Sequence, residues 1–450
     1  MTATLALRDR RRLPGELLVK SNAQALAAFR YLERETFRLL GGWMAITPEW
    51  EVKLTTGKHV WEGAQHAERL GRRLVELRAP ARGTRVPAAL RDLVDAADRS
   101  TDTLERLVAV YRVIKPYLAT AYAELASRTS AVADAPTVDL LADLAPHLER
   151  QIRWGESWIR ELATDADRRE RAMRRQMELE RHVGAVREAL AGGPTELIDA
   201  DPPPPSPRWV EGRPYEPQVK NAVRDERFVP LMNVRPEEPN PDPERELFSR
   251  MHRMSQSELG AAELLGRVMY EHPNMPFEFH YDMARQTWDE VRHCEVAWKR
   301  LEDLGGHLGM LPERPGGNFE RRMSMDLPHL LAILGPVEEA AGNVRFKEYI
   351  QEGLAKGDFE TALLYDYVLA DETTHVRFQS RWLAWLANHD AATQRRWIEE
   401  AKALSNAWNE RMRAAADEHD RAVLARFDIH LDSETMAAQA QAMEFRPLAD

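Results

Sequence analysis

The pentapeptides DEVRH at residues 289–293 and DETTH at residues 371–375 share the pattern Asp-Glu-x-x-His, and the chain contains no other Glu-x-x-His. Positions i and i+3 lie on one face of a helix, so the glutamate and histidine of each pentapeptide can point at the same spot. A carboxylate with an imidazole is a ligand pair for iron, manganese or zinc. One such pair is expected by chance in a chain of this composition, whereas two, each preceded by aspartate, predict a metal site.

Two further glutamates lie at matching distances from helix breaks. Glu258 precedes the glutamate of the first pentapeptide by 32 residues, and Glu339 precedes that of the second by 33. Breaks at residues 272–276 and 353–358 lie nearly midway between the members of each pair. In an antiparallel helix hairpin, residues equidistant from the turn lie at the same height. The predicted ligands, at one level of a four-helix bundle, are therefore Glu258, Glu290, His293, Glu339, Glu372 and His375.

Two neighbouring glutamates compete for these roles. Glu263 is five residues past Glu258, which turns it off the ligand face, and it precedes Glu290 by only 27 residues. Glu338 is the alternative to Glu339. The spacing favours Glu258 in the first case, and Glu339 is preferred in the second.

The aspartates of the two pentapeptides are predicted to support the histidines. A metal-bound histidine usually donates its free ring N–H to a carboxylate, which fixes its tautomer and orientation. Each aspartate can reach across the bundle to the opposite pentapeptide, so we expect Asp289 to pair with His375 and Asp371 with His293. Exposed helical aspartates are the alternative.

Residues 245 to 390 resemble the ferritin-like di-iron carboxylate superfamily, most closely a ferritin-like group of largely unknown function related to the tRNA-modifying di-iron hydroxylases. The resemblance rests on SELGAAE at 257–263, WDEVRHCE at 288–295, EEAAGN at 338–343 and ADETTHVR at 370–377. It implies two metal ions, with an Fe/Fe pair expected and Mn/Fe or Mn/Mn accepted by the same ligands, and it implies O2 as the oxidant.

Two residues near the predicted ligands are candidates for a catalytic role. Asn343 is one turn after Glu339, where hydroxylases of the superfamily often carry a threonine. Tyr365 is two turns before Glu372 and is a hydrogen-bond donor, a radical site or a packed core ring. Members of the superfamily with a seventh, histidine ligand carry it where this chain has Val368, so that variant is not predicted.

Composition limits the partners. The 450-residue chain has a net charge of −11 and no dominant basic stretch, so a nucleic-acid substrate is not expected. A single cysteine, Cys294, and the absence of a long apolar run predict a cytoplasmic protein without a membrane span. No nucleotide-binding glycine motif or iron–sulfur cysteine set is present. Electrons would therefore come from an external donor or from the substrate.

Helical periodicity along the whole chain predicts an all-α fold of two ferritin-like four-helix bundles joined by a proline-rich connector. The predicted division is a degenerate ferritin-like domain at 1–191, the connector at 192–246, and a di-metal domain with a C-terminal helical extension at 247–450. Prolines cluster in the connector and exclude a helix interior there.

The N-terminal half reads as a copy of the C-terminal half that has lost its metal site. WEGAQHAE at 61–68 aligns with 288–295, which puts Gly63 at the position of Glu290 and keeps His66 at that of His293. Further on, the aligned residues are Leu148 for Glu372, Gln151 for His375 and, approximately, Ala119 for Glu339. The expected roles are packing, homodimer formation or substrate gating, and an unrelated helical bundle is the alternative.

The sequence thus predicts a non-haem di-iron oxygenase, of monooxygenase type, acting on a small organic molecule by hydroxylation, N-oxygenation, desaturation or oxidative cleavage. One alternative is an iron-handling protein of ferroxidase type. Another is a non-enzymatic interaction scaffold, against which the complete ligand set argues.

Overall fold

The computed structural model describes residues 15–79, 84–200, 217–231, 243–313, 317–430 and 445. These residues are overwhelmingly helical, and the predicted all-α class is confirmed. The described strands are two short ones, β1 (Arg85–Pro87) and β2 (Leu197–Asp199), which pair antiparallel with Val86 opposite Ile198.

The chain forms two compact units. The first comprises residues 1–39 and 59–205, and the second comprises residues 40–58 and 206–450. A stretch of the N-terminal half, residues 40–58, therefore groups with the C-terminal half. The three-part division at residues 191 and 246 stays a prediction.

The first half of the chain contains seven α-helices in its described residues. In chain order they are α1 (Val19–Met44), α2 (Trp50–Glu76), α3 (Ala88–Asp98), α4 (Thr103–Leu107), α5 (Lys115–Arg128), α6 (Ala135–Leu162) and α7 (Ala166–Leu190). A π-helical segment, Val108–Ile114, leads directly into α5.

The second half continues with long helices. They are α8 (Pro243–Glu271), α9 (Phe277–Asp303), α10 (Gly317–Met323), α11 (Leu327–Ile333), α12 (Ala340–Lys356), α13 (Phe359–Leu386) and α14 (Ala391–Arg426). Again a π-helical segment, Leu334–Glu339, leads directly into the next helix, here α12. Such segments are rare and are often found at functional sites.

Local sequence explains where many helices begin and end. Helices α4, α7, α11, α13 and α14 begin behind an aspartate whose carboxylate accepts a hydrogen bond from a backbone N–H three residues on, a favourable N-cap. Helix α12 ends at Gly357, whose φ of 73° is in the left-handed region where glycine is favoured. The predicted C-terminal helical extension is present as α14, Ala391–Arg426.

The two predicted breaks are where the hairpin turns occur. Helix α8 ends at Glu271 and α9 begins at Phe277, and these two helices pack along each other. The second break separates α12 from α13, which pack in the same way. Both pairs lie in the second unit. The long link between the pairs carries α10 and α11.

The connector is described only in part. Phe228 is buried and its ring stacks on Trp50 with a centroid distance of 4.8 Å, so this part of the connector packs within the second unit. Other large side chains of the connector, Trp209, Tyr215 and Met232, lie outside the described residues. No helix in the described ranges is both long and apolar enough to cross a membrane.

Candidate metal centre

The second unit brings all six predicted ligand residues together. Two groups have ligand atoms within 4.8 Å of one another and could each hold a metal ion. The groups are Glu258, Glu290, His293 and Glu372, and Glu290, Glu339 and His375. Glu290 belongs to both, so it can bridge two ions. The residues come from α8, α9, the end of the π-helical segment before α12, and α13.

The histidines turn one ring nitrogen towards the glutamates. Nδ1 of His293 lies 3.4 Å from Oε2 of Glu290 and 3.4 Å from Oε1 of Glu372. Nδ1 of His375 lies 3.3 Å from Oε1 of Glu290 and 3.6 Å from Oε2 of Glu372. The imidazoles therefore converge on the same small volume from α9 and from α13.

Several nitrogen and oxygen atoms that could bind a metal here have no hydrogen-bond partner among the described residues. They are Nδ1 of His293 and of His375, and Oε2 of Glu290 and of Glu339. Buried polar atoms are normally hydrogen-bonded, because leaving one unpaired costs about 1–3 kcal/mol. Unpaired nitrogen and oxygen atoms that face one another are what a cation would satisfy, so the residues fit a metal.

The electrostatics point the same way. Burial, together with the charges of Glu290 and Glu372, raises the pKa of Glu258 well above its ordinary value. Burial and the neighbouring Glu372 do the same to the pKa of Glu339. Burial alone would raise the pKa of Glu290, but His375 and His293 outweigh it and lower that pKa. Four carboxylates in one buried volume repel one another, and a bound cation would remove that repulsion.

The outer ring nitrogens contact the two aspartates in the pairing expected from the sequence. Nε2 of His375 is 3.3 Å from Oδ2 of Asp289, and Nε2 of His293 is 3.3 Å from Oδ2 of Asp371. Arg292 donates to both aspartates, at 2.6 Å in the case of Asp371. These contacts hold each Nδ1 towards the glutamates, as a metal-binding histidine requires.

Two glutamines complete the arrangement, and their contacts were not predicted. Nε2 of Gln286 donates to Oε1 of Glu339 at 2.8 Å and to Oε1 of Glu290 at 3.2 Å. Nε2 of Gln379 in turn donates to Oε1 of Gln286 at 2.8 Å. Gly335 is needed for this contact, since a Cβ there would lie 2.3 Å from Cβ of Gln379. The available signal was position, because Gln286 and Gln379 each lie one turn from a predicted ligand.

Glu263 and Glu338, the alternatives to the predicted ligands Glu258 and Glu339, pair with basic side chains outside the metal-holding groups. Glu263 is fully buried and forms ion pairs with Lys53 and Arg224. Glu338 accepts hydrogen bonds from Arg321 at 2.5 Å and from Arg322 at 2.9 Å. Neither carboxylate belongs to the groups that could hold a metal.

A cavity of approximately 300 Å³ opens onto the centre. Its walls include Ala261 and Gly342, which are small, and Tyr365. Gly342 also lines it, and the catalytic role of Asn343 stays a prediction. The ring of Tyr365 is 1% exposed and stacks on Phe346 with a centroid distance of 5.5 Å. Burial raises the pKa of the Tyr365 hydroxyl well above the ordinary value, and the catalytic role of this residue stays a prediction too.

The first unit has a different polar centre. Glu33, which is fully buried, accepts hydrogen bonds from Lys115 at 2.7 Å and from Tyr122 at 3.1 Å, and its Oε1 lies 3.0 Å from Nδ1 of His66. Lys115 is the first residue of α5 and comes directly after the π-helical segment. Its contact with Glu33 shows that Lys115 faces the centre, and the approximate alignment of Ala119 with Glu339 stays a prediction.

Gly63 lies where two helices approach closely. A Cβ at Gly63 would lie 3.0 Å from Cβ of Phe37, so a larger residue there would require Phe37 to shift by a few tenths of an ångström. The aligned position in the second unit carries the carboxylate of Glu290. Within the described ranges, the groups that could hold a metal ion are confined to the second unit.

The class defined by this arrangement is an all-α protein with clustered carboxylates and histidines that could hold metal. A family model described as "Protein of unknown function (DUF455)" matches residues 171–424, more than half of the chain, and the chain belongs to this family. No curated protein and no solved structure matches it.

Proposed function

We propose that the chain is a non-haem di-iron oxygenase of monooxygenase type that oxidises a small organic substrate with O2. The observation that carries the proposal is the pair of ligand groups sharing Glu290, with unpaired nitrogen and oxygen atoms facing one another. Hard carboxylates with two imidazoles suit iron, and manganese accepts the same set. The fold part of the proposal is a ferritin-like four-helix bundle in each unit.

The residues that would hold the ions are Glu258, Glu290, His293, Glu339, Glu372 and His375. A bound iron pair would supply the redox chemistry with O2, and the electrons would come from an external reductase or from the substrate. Asp289 and Asp371 keep the outer histidine nitrogens occupied, which leaves the inner ones for the ions. Gln286 holds Glu339 in place through a 2.8 Å hydrogen bond.

The cavity favours oxidation of an organic molecule over iron handling. Its approximately 300 Å³ is the volume of a small ligand site, and it opens directly onto Glu258, Glu290, Glu339 and Glu372. Small side chains at Ala261 and Gly342 leave space beside the ligands.

The experiment is elemental analysis of the full chain purified with iron supplied, compared with a Glu290→Ala/Glu372→Ala variant. We expect about two irons per chain in the wild type and none in the variant. A Glu348→Ala/Asp366→Ala variant is the matched control, because both of its acids are exposed on α12 and α13. Circular dichroism checks that all three fold.

The outcome has two decisive alternatives. Absence of bound transition metal after loading with iron or manganese would refute the proposal. Iron bound in a chain that consumes O2 upon Fe(II) addition alone, with no dependence on any organic molecule, would replace it with a ferroxidase.

A further inference from the structure

We propose that the substrate is an organic anion, a carboxylate or phosphate attached to an apolar body, held by the arginines of the cavity. This inference rests on the proposed function, because it concerns what enters the chamber beside the ligands. It follows from the charges that line the chamber and from the position of its aromatic wall.

Arginines are the most numerous charged residues of the chamber apart from the ligand glutamates. Those lining it are Arg224, Arg250, Arg253, Arg322 and Arg345. Six glutamates also line it, and four of them are the proposed ligands. Two divalent cations would neutralise those four carboxylates. Glu313 and Glu338 would then be the remaining acids against five guanidinium groups. Among the side chains that line it, the metal-loaded chamber would thus hold more arginines than acids, although Arg250 also pairs with Glu246 at 2.8 Å and with Glu352 at 3.1 Å, which do not line it.

Part of this charge already has a partner. Arg224 pairs with Glu313 at 3.0 Å and also with Glu263, and Arg322 pairs with Glu338 at 2.6 Å. These pairs consume both of the remaining acids.

Arg345 is the arginine best placed to bind an anion. It is exposed on α12, lines the chamber and forms no ion pair with any described residue. On the facing helix α8, Arg253 is half-buried and lines the same end of the chamber. Guanidinium groups bind carboxylates and phosphates through paired hydrogen bonds, so this end would take the acid group.

The two arginines lie at one level of the chamber. Helices α8 and α12 run antiparallel there, since Glu258 and Glu339 face the same chamber and Arg250, which precedes Glu258, pairs at 3.1 Å with Glu352, which follows Glu339. Arg253 is five residues before Glu258 and Arg345 is six after Glu339. At 1.5 Å per residue both lie roughly 8–9 Å along the helix axis from the ligands. In the substrate, the atom that is oxidised would therefore lie roughly 8–9 Å from the acid group.

Aromatic side chains line the same end of the chamber as the arginines. Tyr365 stacks on Phe346 and lies 5.0 Å, centroid to centroid, from Tyr349, and all three line the chamber. Arg250 lies 3.9 Å from the centre of the Tyr349 ring and holds it. At 1.5 Å per residue, Phe346 and Tyr365 lie roughly 10 Å and Tyr349 roughly 15 Å along the helix axes from the ligands, so this wall flanks the arginines. The part of the substrate next to its acid group would bury its apolar surface against this wall.

The test uses the iron-loaded full chain and calorimetric titration with matched probes. These are 3-phenylpropanoate, 4-phenylbutanoate and phenyl phosphate, each compared with a neutral analogue (the amides of the two acids and phenol). We expect the anions to bind at least about tenfold more tightly than their neutral analogues. Comparison of phenyl phosphate with the two carboxylates shows which acid group is preferred.

Variants locate the site. Arg345→Gln and Arg253→Gln should each weaken anion binding by about tenfold, since each removes a charge-assisted contact. Lys347→Gln is the matched control, because Lys347 is exposed on the same helix but does not line the chamber. It should bind the probes as the wild type does. Iron-free protein should lose the preference for anions, since the ligand carboxylates would then repel them.

Iron content measured on the same samples shows whether a negative result contradicts the proposed function or only the inference about the substrate. Iron-free protein after loading means that the proposed function fails. Iron-loaded protein in which no anion binds more tightly than its neutral analogue overturns this inference alone. Equal anion binding in Arg345→Gln and Lys347→Gln overturns it as well.

Discussion

The polar centres of the two units both contain a buried glutamate and a histidine, but they balance the glutamate charge differently. In the first unit, the Lys115 ammonium group lies 2.7 Å from the buried carboxylate of Glu33, so this centre carries its own cation. In the second unit, Glu258, Glu290, Glu339 and Glu372 share one site, and the charges opposing them within it come from histidines.

The contacts that flank the centres correspond. Glu62, at the aligned position of Asp289, accepts a 2.7 Å hydrogen bond from Gln151, at the position of His375. His66 and His147, at the positions of His293 and Asp371, lie 3.2 Å apart between Nε2 and Nδ1. The supporting pairs are thus present in both units, whereas the glutamates are not. Besides the added lysine, the first unit has Gly63, Leu148 and Gln151 at the positions aligned with Glu290, Glu372 and His375.

Removing the lysine should break the first centre. Lys115→Met leaves Glu33 buried without its cation, and we expect the free energy of unfolding to fall by about 3–5 kcal/mol. Urea unfolding measures this. Lys347→Met, on the exposed surface of α12, is the control and should change stability by no more than about 0.5 kcal/mol. A loss of less than about 1 kcal/mol in Lys115→Met would contradict the assignment, and Glu33→Gln in the same chain should restore most of the stability.

Acid should weaken the same centre. Burial raises the pKa of Glu33, but Lys115 and His66 outweigh it and lower the pKa from 4.5 to about 2. Because the folded pKa is the lower one, the stabilisation is present above 4.5 and is lost as the pH falls from 4.5 towards 2. The expected loss is about 3 kcal/mol. Urea midpoints across this range should fall less steeply in Glu33→Gln/Lys115→Met, and equal slopes would count against the prediction.

Metal should distinguish the units. Iron at about 100 times its dissociation constant should stabilise the second unit by about 2.7 kcal/mol. Hydrogen exchange should therefore slow in α8, α9 and α13 and remain unchanged in residues 19–39, in residues 59–76 and in α6, all of which belong to the first unit. Slowing of equal size in both sets of helices would show that the first centre binds metal too.

The aspartates should have a smaller effect on the second centre. Asp371→Asn removes the charged acceptor of the His293 ring N–H, and we expect iron affinity to fall about 10–100-fold. Competition with a chelator measures the affinity. Asp366→Asn, an exposed aspartate on the same helix, serves as the control. An unchanged affinity in Asp371→Asn would show that Arg292 alone orients the histidine.

Much of the second centre could be predicted because its signals are local. The two pentapeptides define helix faces, and the breaks at 272–276 and 353–358 define which residues share a height. The same reasoning paired Asp289 with His375 across the helices, and the two are in contact. The glutamine contacts were missed because glutamine has no diagnostic spacing.

The sequence by itself determined the all-α class, the hairpin turns and which carboxylates and histidines lie at one level. Periodicity and distance from a turn are properties of single helices and adjacent pairs. Only the tertiary structure showed that Gly342 lines the cavity and that Lys115 lies against Glu33. The helices that carry these two residues each follow a π-helical segment, whose wider turn shifts the faces of the residues after it. The face of each helix that is turned towards the polar centre then depends on how the helices pack. A prediction based on regular α-helical periodicity does not include the shift caused by the π-helical segment.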